Sequence, residues 1–165
     1  MTANKPVIVL NDEIDDFAGS VTINYPCVIE GNGHGLIRPD GFEGILLEAV
    51  GADASVTINN ALADGRDLDA QAPALAAQSG GALILNQVTV QNNRNNDVSS
   101  YSGGDGGGIY IDEGSLRMTD CSLIGNYSES EGGAIYVEGG NLSMTDCVVK
   151  GNHAVDRFVF EFLTN

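Results

Sequence analysis

A histidine and two carboxylates near the start of the sequence are residue types that could act on a glycosidic bond. His34 stands between two glycines, Asp15 and Asp16 precede it, and Arg38 follows it. Cleavage of a glycosidic bond needs two carboxyl groups that flank it. Asp15 and Asp16, however, are adjacent and lie in a segment that we expect to cap the fold rather than on a strand. We therefore interpret His34 as a corner residue and predict no catalytic residue.

An aspartate in a glycine-rich stretch is the second candidate for chemistry. Residues 103–109 read GGDGGGI, which partly matches the calcium-binding nonapeptide GGxGxDxUx. Calcium prefers several carboxylate and carbonyl oxygens, and Asp105 with Asp97 or Asp112 could supply them. The aspartate is displaced from its place in the motif and the motif occurs once, so a flexible glycine corner is the interpretation we favour. No cofactor is predicted, and Ca²⁺ is the candidate that the sequence leaves open.

Tyrosines supply the third candidate, a binding surface. Tyr110 and Tyr136 occupy the same place in two copies of a repeat and are flanked by apolar residues, so they should stack on an outer face. With Tyr101 in the neighbouring loop they could form a platform for sugar rings. Stabilisation of the sheet by cross-strand contact is the alternative. An ice-binding surface would need a regular threonine array, for which Thr119 and Thr145 are the best candidates.

The elements that position these residues come from an internal repeat. Residues 106–128 and 132–154 align without a gap at a shift of 26 residues. Apolar residues alternate in both copies, as strands require and helices do not, and 26 residues are too few for a propeller blade. Such a repeat predicts an all-β fold, a single-stranded parallel β-helix or solenoid of about 5–6 coils whose identical residues stack.

Earlier copies extend the repeat through most of the chain. Strand starts at Val21, Val56, Leu83, Leu116 and Leu142 are 35, 27, 33 and 26 residues apart, so we expect loops to lengthen some coils. Residues 66–79 and 94–105 are the predicted loops and the predicted contact edge. The domain prediction is one domain over 1–165, with an N-terminal cap at 1–20, coils at 21–154 and a C-terminal cap or interface strand at 155–165.

Stacking gives the repeated polar and sulfur residues a structural role. One slim inner row is predicted to contain Cys27, Cys121 and Cys147 together with Ala61 and Val88. An asparagine ladder at a corner is predicted for four side chains that can bond the backbone and each other, namely Asn32, Asn93, Asn126 and Asn152. Three cysteines spaced in this way indicate core residues and not a disulfide framework.

Composition limits the partners. Seven Lys+Arg against 23 Asp+Glu give a formal net charge of −16, which argues against nucleic acid and anionic membranes as partners. No apolar run is long enough for membrane insertion. Whether a signal peptide precedes this sequence and is removed is a question that the sequence leaves open. The alternating Phe158–Leu163 segment could cap the open sheet edge or mediate self-association.

Several motifs resemble a known family. The GGAI sequence at 132–135 and the Asn-ending tetrapeptides at 123–126 and 149–152 resemble the GGAI and FxxN repeats of the polymorphic outer membrane protein family of bacterial surface adhesins, with Leu or Val in place of Phe. Residues 20–37 resemble the opening coil of secreted right-handed β-helix proteins, and Gly33-His34-Gly35 resembles a polygalacturonase motif. The resemblance implies a right-handed β-helix at the cell surface.

Together these observations predict a non-catalytic extracellular or cell-surface module, an adhesin or structural stalk that could bind a surface glycan or protein of a host or the environment. The alternatives are a polysaccharide-processing enzyme of the polygalacturonase or lyase type, and an ice-binding protein. An enzyme should gather at least two acids and a base in one groove, and the sequence contains no such cluster.

Overall fold

A computed structural model describes residues 5–98 and 105–155, and the regular structure of these residues is strand throughout. The strands are β1 Val7–Val9, β2 Val21–Ile23, β3 Cys27–Glu30, β4 Gly35–Ile37, β5 Leu47–Val50, β6 Ser55–Asp64, β7 Asp69–Ala70, β8 Leu75–Gln78, β9 Ala82–Gln91, β10 Arg94–Asn95, β11 Ile109–Asp112, β12 Ser115–Thr119, β13 Ser122–Ile124, β14 Tyr127–Ser128, β15 Ile135–Glu138, β16 Asn141–Thr145, β17 Val148–Lys150 and β18 His153–Ala154.

These strands pair in parallel and form three sheets. Sheet A runs in the order β1-β3-β6-β9-β12-β16, with β4, β13 and β17 beside this path. Sheet B has the order β2-β5-β8-β11-β15, and sheet C has the order β18-β14-β10-β7. From β5 onward the chain visits B, A and C in turn, and every strand except β7, the first of sheet C, pairs with its copy from the previous passage. The predicted all-β fold with stacked parallel strands is confirmed at this level.

The 26-residue repeat sets the register of the last two passages. Ile109 faces Ile135, Leu116 faces Leu142 and Met118 faces Met144 across neighbouring strands. Side chains alternate between the two faces of a strand, so these residues point inward while their neighbours point out. Ile109, Leu116 and Met118 are at most 1% exposed. The repeat uses four strands, β11 to β14.

The first copy is shifted from its predicted alignment. Val21 pairs with Leu47 in sheet B, whereas Cys27 pairs with Val56 in sheet A and so shares a row with Leu83 and Leu116. The strand start predicted at Val21 therefore does not belong with those at Val56, Leu83 and Leu116, because the residues on either side of Pro26 lie in different sheets. The placement of Cys27 in the row of Cys121 was wrong for the same reason.

Residues 66–79 do not form the predicted loop. They contain β7 in sheet C and β8 in sheet B, and Leu75, Ala76 and Ala77 are at most 1% exposed. Alanine is a weak strand former, but its small side chain fits a tightly packed site, and tertiary packing decides the structure here. The second predicted insertion, 94–105, begins with β10, and residues 99–104 lie outside the described residues.

Residues in the left-handed backbone region mark a bend of the chain within sheet A. Asp120 and Asp146 both have a φ of 53° and lie between β12 and β13 and between β16 and β17. Asn60 and Gln87 occupy the same bend inside β6 and β9. At the paired glycines, an added Cβ on Gly107 would lie 2.3 Å from a carbonyl oxygen. A side chain at position 107 would therefore collide with the neighbouring backbone, which explains the glycine there.

The segment before β2 covers the first end of the stack. β1 pairs with β3, Leu10 is buried, and Ile14 and Phe17 pack against the core. Under this cover Cys27 is 0% exposed. Most of the predicted C-terminal cap, residues 156–165, lies outside the described residues.

Candidate functional site

The outer face of sheet B carries the two predicted tyrosines side by side. Ile109 and Ile111 point into the core, so Tyr110 between them points out, and it pairs with Tyr136 in register. Their ring centroids are 6.0 Å apart and their planes differ by 3°. Tyr101, the third predicted member, lies outside the described residues.

Carboxylates surround this tyrosine pair. The Tyr110 hydroxyl donates to Oε2 of Glu138 at 3.2 Å, and Asp112 pairs with Glu138 on the neighbouring strand. Burial, followed by the charges of Asp112 and Glu138, raises the pKa of Tyr110 well above its usual range. Burial, followed by Asp105 and Glu131, raises the pKa of Tyr136. Both phenols therefore stay protonated as hydrogen-bond donors at neutral pH.

The outward row that contains the tyrosines changes from aromatic to small and acidic side chains toward the N-terminal end of the stack. Tyr110 pairs with Ala76 and Ala76 pairs with Glu48, whose carboxylate accepts a hydrogen bond of 2.6 Å from Thr22. Ala76 is 0% exposed although it points outward, so its neighbours cover it. The aromatic surface therefore ends at Ala76, and an acidic side chain continues the row.

A second outward row, on sheet C, was not predicted from the sequence. Arg94 lies between Asp69 and Tyr127, with Nε 3.1 Å from the Asp69 carboxylate and the guanidinium carbon 4.4 Å from the tyrosine ring centroid. The ring of Tyr127 stacks on His153 at 5.7 Å. The 26-residue repeat does align Tyr127 with His153, so the sequence indicated that the two positions are neighbours. Their different residue types concealed the stacking.

Three of the four asparagines predicted to form a ladder do lie together. Asn93 Nδ2 donates to Oδ1 of Asn126 at 2.9 Å, and Asn126 Nδ2 donates to Oδ1 of Asn152 at 2.9 Å. Asn126 Oδ1 also accepts from the Asn93 backbone at 3.2 Å. The inclusion of Asn32 was wrong: it is exposed, has a φ of 54°, and donates to the Leu10 carbonyl. β3 pairs with the first half of β6, so Asn32 lies at the bend of Asn60 and not at the corner of Asn93.

The two repeated cysteines share a row, since Ser122 pairs with Val148 directly after them. Cys121 is 1% exposed, its thiol donates to backbone carbonyls, and burial raises its pKa. Burial also raises the pKa of Cys27, in its own row. All three cysteines are free thiols, and Cys147 is half-buried.

The residues that resembled a polygalacturonase motif are not assembled into an active site. His34 Nδ1 lies 3.9 Å from Glu13, and Asp15 and Asp16 are exposed. Arg38 is 0% exposed. Its guanidinium donates to the carbonyls of Phe42, Gly44, Ala72 and Pro73, and burial lowers its pKa to about 10. Arg38 therefore connects the segments 42–44 and 72–73 through hydrogen bonds to their backbone carbonyls.

A groove on the outer surface of sheet A offers space but no acid or base. Its volume is about 380 Å³. The groove is lined by residues without a titratable side chain: Gly33, Asn60, Ala61, Leu62, Gln87, Thr89 and Gln91. Hydrolysis in this groove would lack the two carboxyl groups that the reaction needs.

The aspartates proposed for calcium do not form a metal-binding group among the described residues. Asp105 accepts hydrogen bonds from the Ser130 hydroxyl at 2.8 Å and from the Glu131 backbone at 3.3 Å. Asp112 lies in sheet B beside Glu138. Within residues 5–98 and 105–155, no group of three or more His, Cys, Asp or Glu side chains could hold a metal ion. The structure thus does not bring Asp97, Asp105 and Asp112 together as a site.

Comparison with known proteins identifies one unit of the repeat. Residues 120–138 match the Chlamydia polymorphic membrane protein repeat. The matched stretch contains the tetrapeptide 123–126, the GGAI sequence 132–135 and Tyr136, which confirms the resemblance for this repeat. No curated protein and no solved structure matches the chain at a significant level. The described part of the chain has no helix with the length and apolar character needed to cross a membrane.

Proposed function

We propose that this chain is a right-handed parallel β-helix that serves as a non-catalytic module at a bacterial cell surface, as an adhesin or a structural stalk. The parallel pairing of successive passages and their repeated corners support the β-helix. The match to a polymorphic membrane protein repeat supports the surface location. One domain over 1–165 with covered ends is part of this proposal.

The observation that carries a binding role is the outward tyrosine pair. Repeated inward residues are accounted for by stacking, whereas Tyr110 and Tyr136 point away from the core and still repeat. Aromatic rings with a polar tip suit surfaces that are apolar on one side and hydrated on the other. Sugar rings have such surfaces, so we propose an oligosaccharide as the ligand.

The charges around the platform restrict which oligosaccharide it takes. Asp105, Asp112, Glu131 and Glu138 all influence the tyrosines electrostatically, and the whole chain is acidic. Like charges brought together across an interface are unfavourable, and opposite charges speed association. The ligand we propose is therefore a neutral or amine-bearing oligosaccharide, and acidic polysaccharides should be rejected.

A glycan array with neutral, amine-bearing and uronic acid oligosaccharides tests this specificity. The double variant Tyr110→Ala/Tyr136→Ala should lose about tenfold or more in affinity, the usual effect of removing aromatic anchors. Tyr127→Ala is the matched control, since Tyr127 also points outward but lies on sheet C. Preference for uronic acids, or equal losses in the variant and the control, would contradict the proposal. If the chain binds no glycan on the array, the oligosaccharide proposal is refuted and the structural stalk is the role that stands.

A further inference from the structure

Two of the three cysteines are direct neighbours in the stack of parallel strands. Cys121 lies immediately before β13, and Cys147 lies immediately before β17. Ser122 pairs with Val148 directly after them, and the Val148 N–H donates to the Cys121 carbonyl at 2.9 Å. The two cysteines therefore occupy the same position of adjacent copies of the repeat, one row apart.

The two thiols also have the same orientation. Cys121 Sγ donates to the Thr119 carbonyl at 3.2 Å, and Cys147 Sγ donates to the Thr145 carbonyl at 3.3 Å. Each bond reaches back by two residues, so both side chains leave the backbone on the same side. Burial is the main cause of the raised pKa of Cys121, and Cys147 raises it further. The two thiols are therefore close enough to interact.

The spacing of the strands suits a disulfide at this position. Neighbouring strands of a sheet lie about 4.7–4.9 Å apart, and the Cα atoms of a disulfide usually lie about 4.4–6.8 Å apart. Two cysteines in register on parallel strands thus meet the backbone requirement. The hydrogen bonds that the thiols would give up are weak, since a thiol is a weak donor. Rotation of the two side chains brings the sulfur atoms together and leaves the strand pairing unchanged.

The exposure of the cysteines decides the order in which they react. Cys147 is half-buried, whereas Cys121 is 1% exposed. A reagent in solution therefore reaches Cys147 first, and Cys121 attacks from within the core. Cys27 is 0% exposed, and its partner on the next strand is Val56 and not a cysteine. The third thiol is therefore an internal control.

We propose that Cys121 and Cys147 form a disulfide that joins the copies 106–128 and 132–154. The oxidant is a small-molecule disulfide such as oxidised glutathione. Cys147 loses its proton, and its thiolate attacks one sulfur of the oxidant and expels the other, which takes up a proton. Deprotonated Cys121 then attacks the Cys147 sulfur of this mixed disulfide and expels the second small thiol. Two protein thiols become one disulfide, and one small disulfide becomes two thiols.

The disulfide would hold the two copies that carry the tyrosine pair. Tyr110 precedes Cys121 in one copy, and Tyr136 precedes Cys147 in the next. The second copy ends the described stack, where Leu142 and Met144 are only partly buried, and such regions open locally at low cost. Small-molecule disulfides persist at cell surfaces and not in the cytosol, so the biological setting rests on the proposed function. The reaction itself is tested without a glycan.

Oxidation of the native full chain in buffers of oxidised and reduced glutathione tests the proposal. After acid quenching and alkylation, the chain is cleaved after glutamate, because three glutamates separate the two cysteines, whereas Arg117 and Lys150 leave both in one tryptic peptide. We expect a disulfide between the peptides of Cys121 and Cys147, a mass lower by about 2 Da, and an alkylated Cys27. Hydrogen exchange of β15 to β17 should be about tenfold or more slower in the oxidised chain.

Two variants serve as controls in the same assay. Cys27→Ala should form the disulfide as readily as the wild type, and Cys147→Ala should form none. Glutathione that remains attached to Cys147, disulfides between two chains, or thiols that stay reduced in the native wild type would overturn the proposal. Equal hydrogen exchange in the oxidised and reduced chains would overturn the role of the bond in holding the copies together. These readouts need no folded variant and no glycan binding, so they separate this proposal from the proposed function.

Discussion

The asparagine ladder gives the sharpest stability prediction, through the variant Asn126→Ala. The Asn126 side chain accepts from the Asn93 backbone N–H at 3.2 Å and Nδ2 at 2.9 Å, and donates to Asn152 Oδ1 and the Val90 carbonyl at 2.9 Å each. Asn93 and Val90 are 0% exposed, so water cannot readily replace these bonds. The variant loses these four hydrogen bonds and leaves the buried Asn93 backbone N–H unpaired, which together should destabilise the fold by about 2–5 kcal/mol.

The matched control is Asn32→Gly, because Asn32 lies outside the ladder in the structure. Asn32 makes one bond of 3.2 Å to Leu10, and glycine accepts its φ of 54°. We expect a loss below about 1 kcal/mol. Urea unfolding of both variants, with slopes compared to the wild type, measures the difference. Equal losses, or a loss below about 0.5 kcal/mol for Asn126→Ala, would refute the ladder as a source of stability.

Three further predictions concern packing and pH. Gly107→Ala should destabilise the fold by about 1–3 kcal/mol or more, because the new Cβ would lie 2.3 Å from a carbonyl oxygen. Gly19→Ala is the control in the same urea assay, since nothing lies within 4 Å of its Cβ position. Equal effects of the two variants would contradict the prediction. Leu116→Ala should cost about 2–5 kcal/mol as a core cavity, and calorimetry that finds less than 1 kcal/mol would show that the row is loosely packed. Stability should fall as pH rises above about 9, because burial raises the pKa of Cys121 above its ordinary 9.0 and the unfolded thiol loses its proton first. The slope is at most about 1.4 kcal/mol per pH unit, and Cys121→Ala should reduce it; an unchanged slope would contradict this assignment. Arg38, whose pKa burial lowers to about 10, acts in the opposite direction above that pH.

Repetition explains why part of the fold could be predicted. Where two copies match residue for residue, as at Leu116 and Leu142, the alignment gives the register directly, and the structure agrees. Where copies have diverged, the same reasoning fails by several residues. Cys27 was aligned with Cys121 on residue type, but a turn at Pro26 places it in another row. An apolar inward position accepts Cys, Val or Leu, so residue identity alone does not fix the row.

The candidate site was predictable only in part, for a related reason. Tyr110 and Tyr136 could be found because they repeat and because their apolar neighbours fix the inward face. The repeat aligns Tyr127 with His153, but Arg94, Tyr127 and His153 share no residue type, so residue identity alone does not reveal their stacking on sheet C. Similarly, Arg38 is a residue type that is mostly exposed in proteins, and only the fold shows that backbone carbonyls surround it.

The tyrosine platform should bind an oligosaccharide without cleaving it. The most direct test is to titrate the full chain with an amine-bearing oligosaccharide by calorimetry and then to measure the mass of the recovered ligand. We predict saturable binding that Tyr110→Ala/Tyr136→Ala abolishes, and an intact ligand. Shorter products whose formation falls in Asp16→Ala or His34→Ala would contradict the claim.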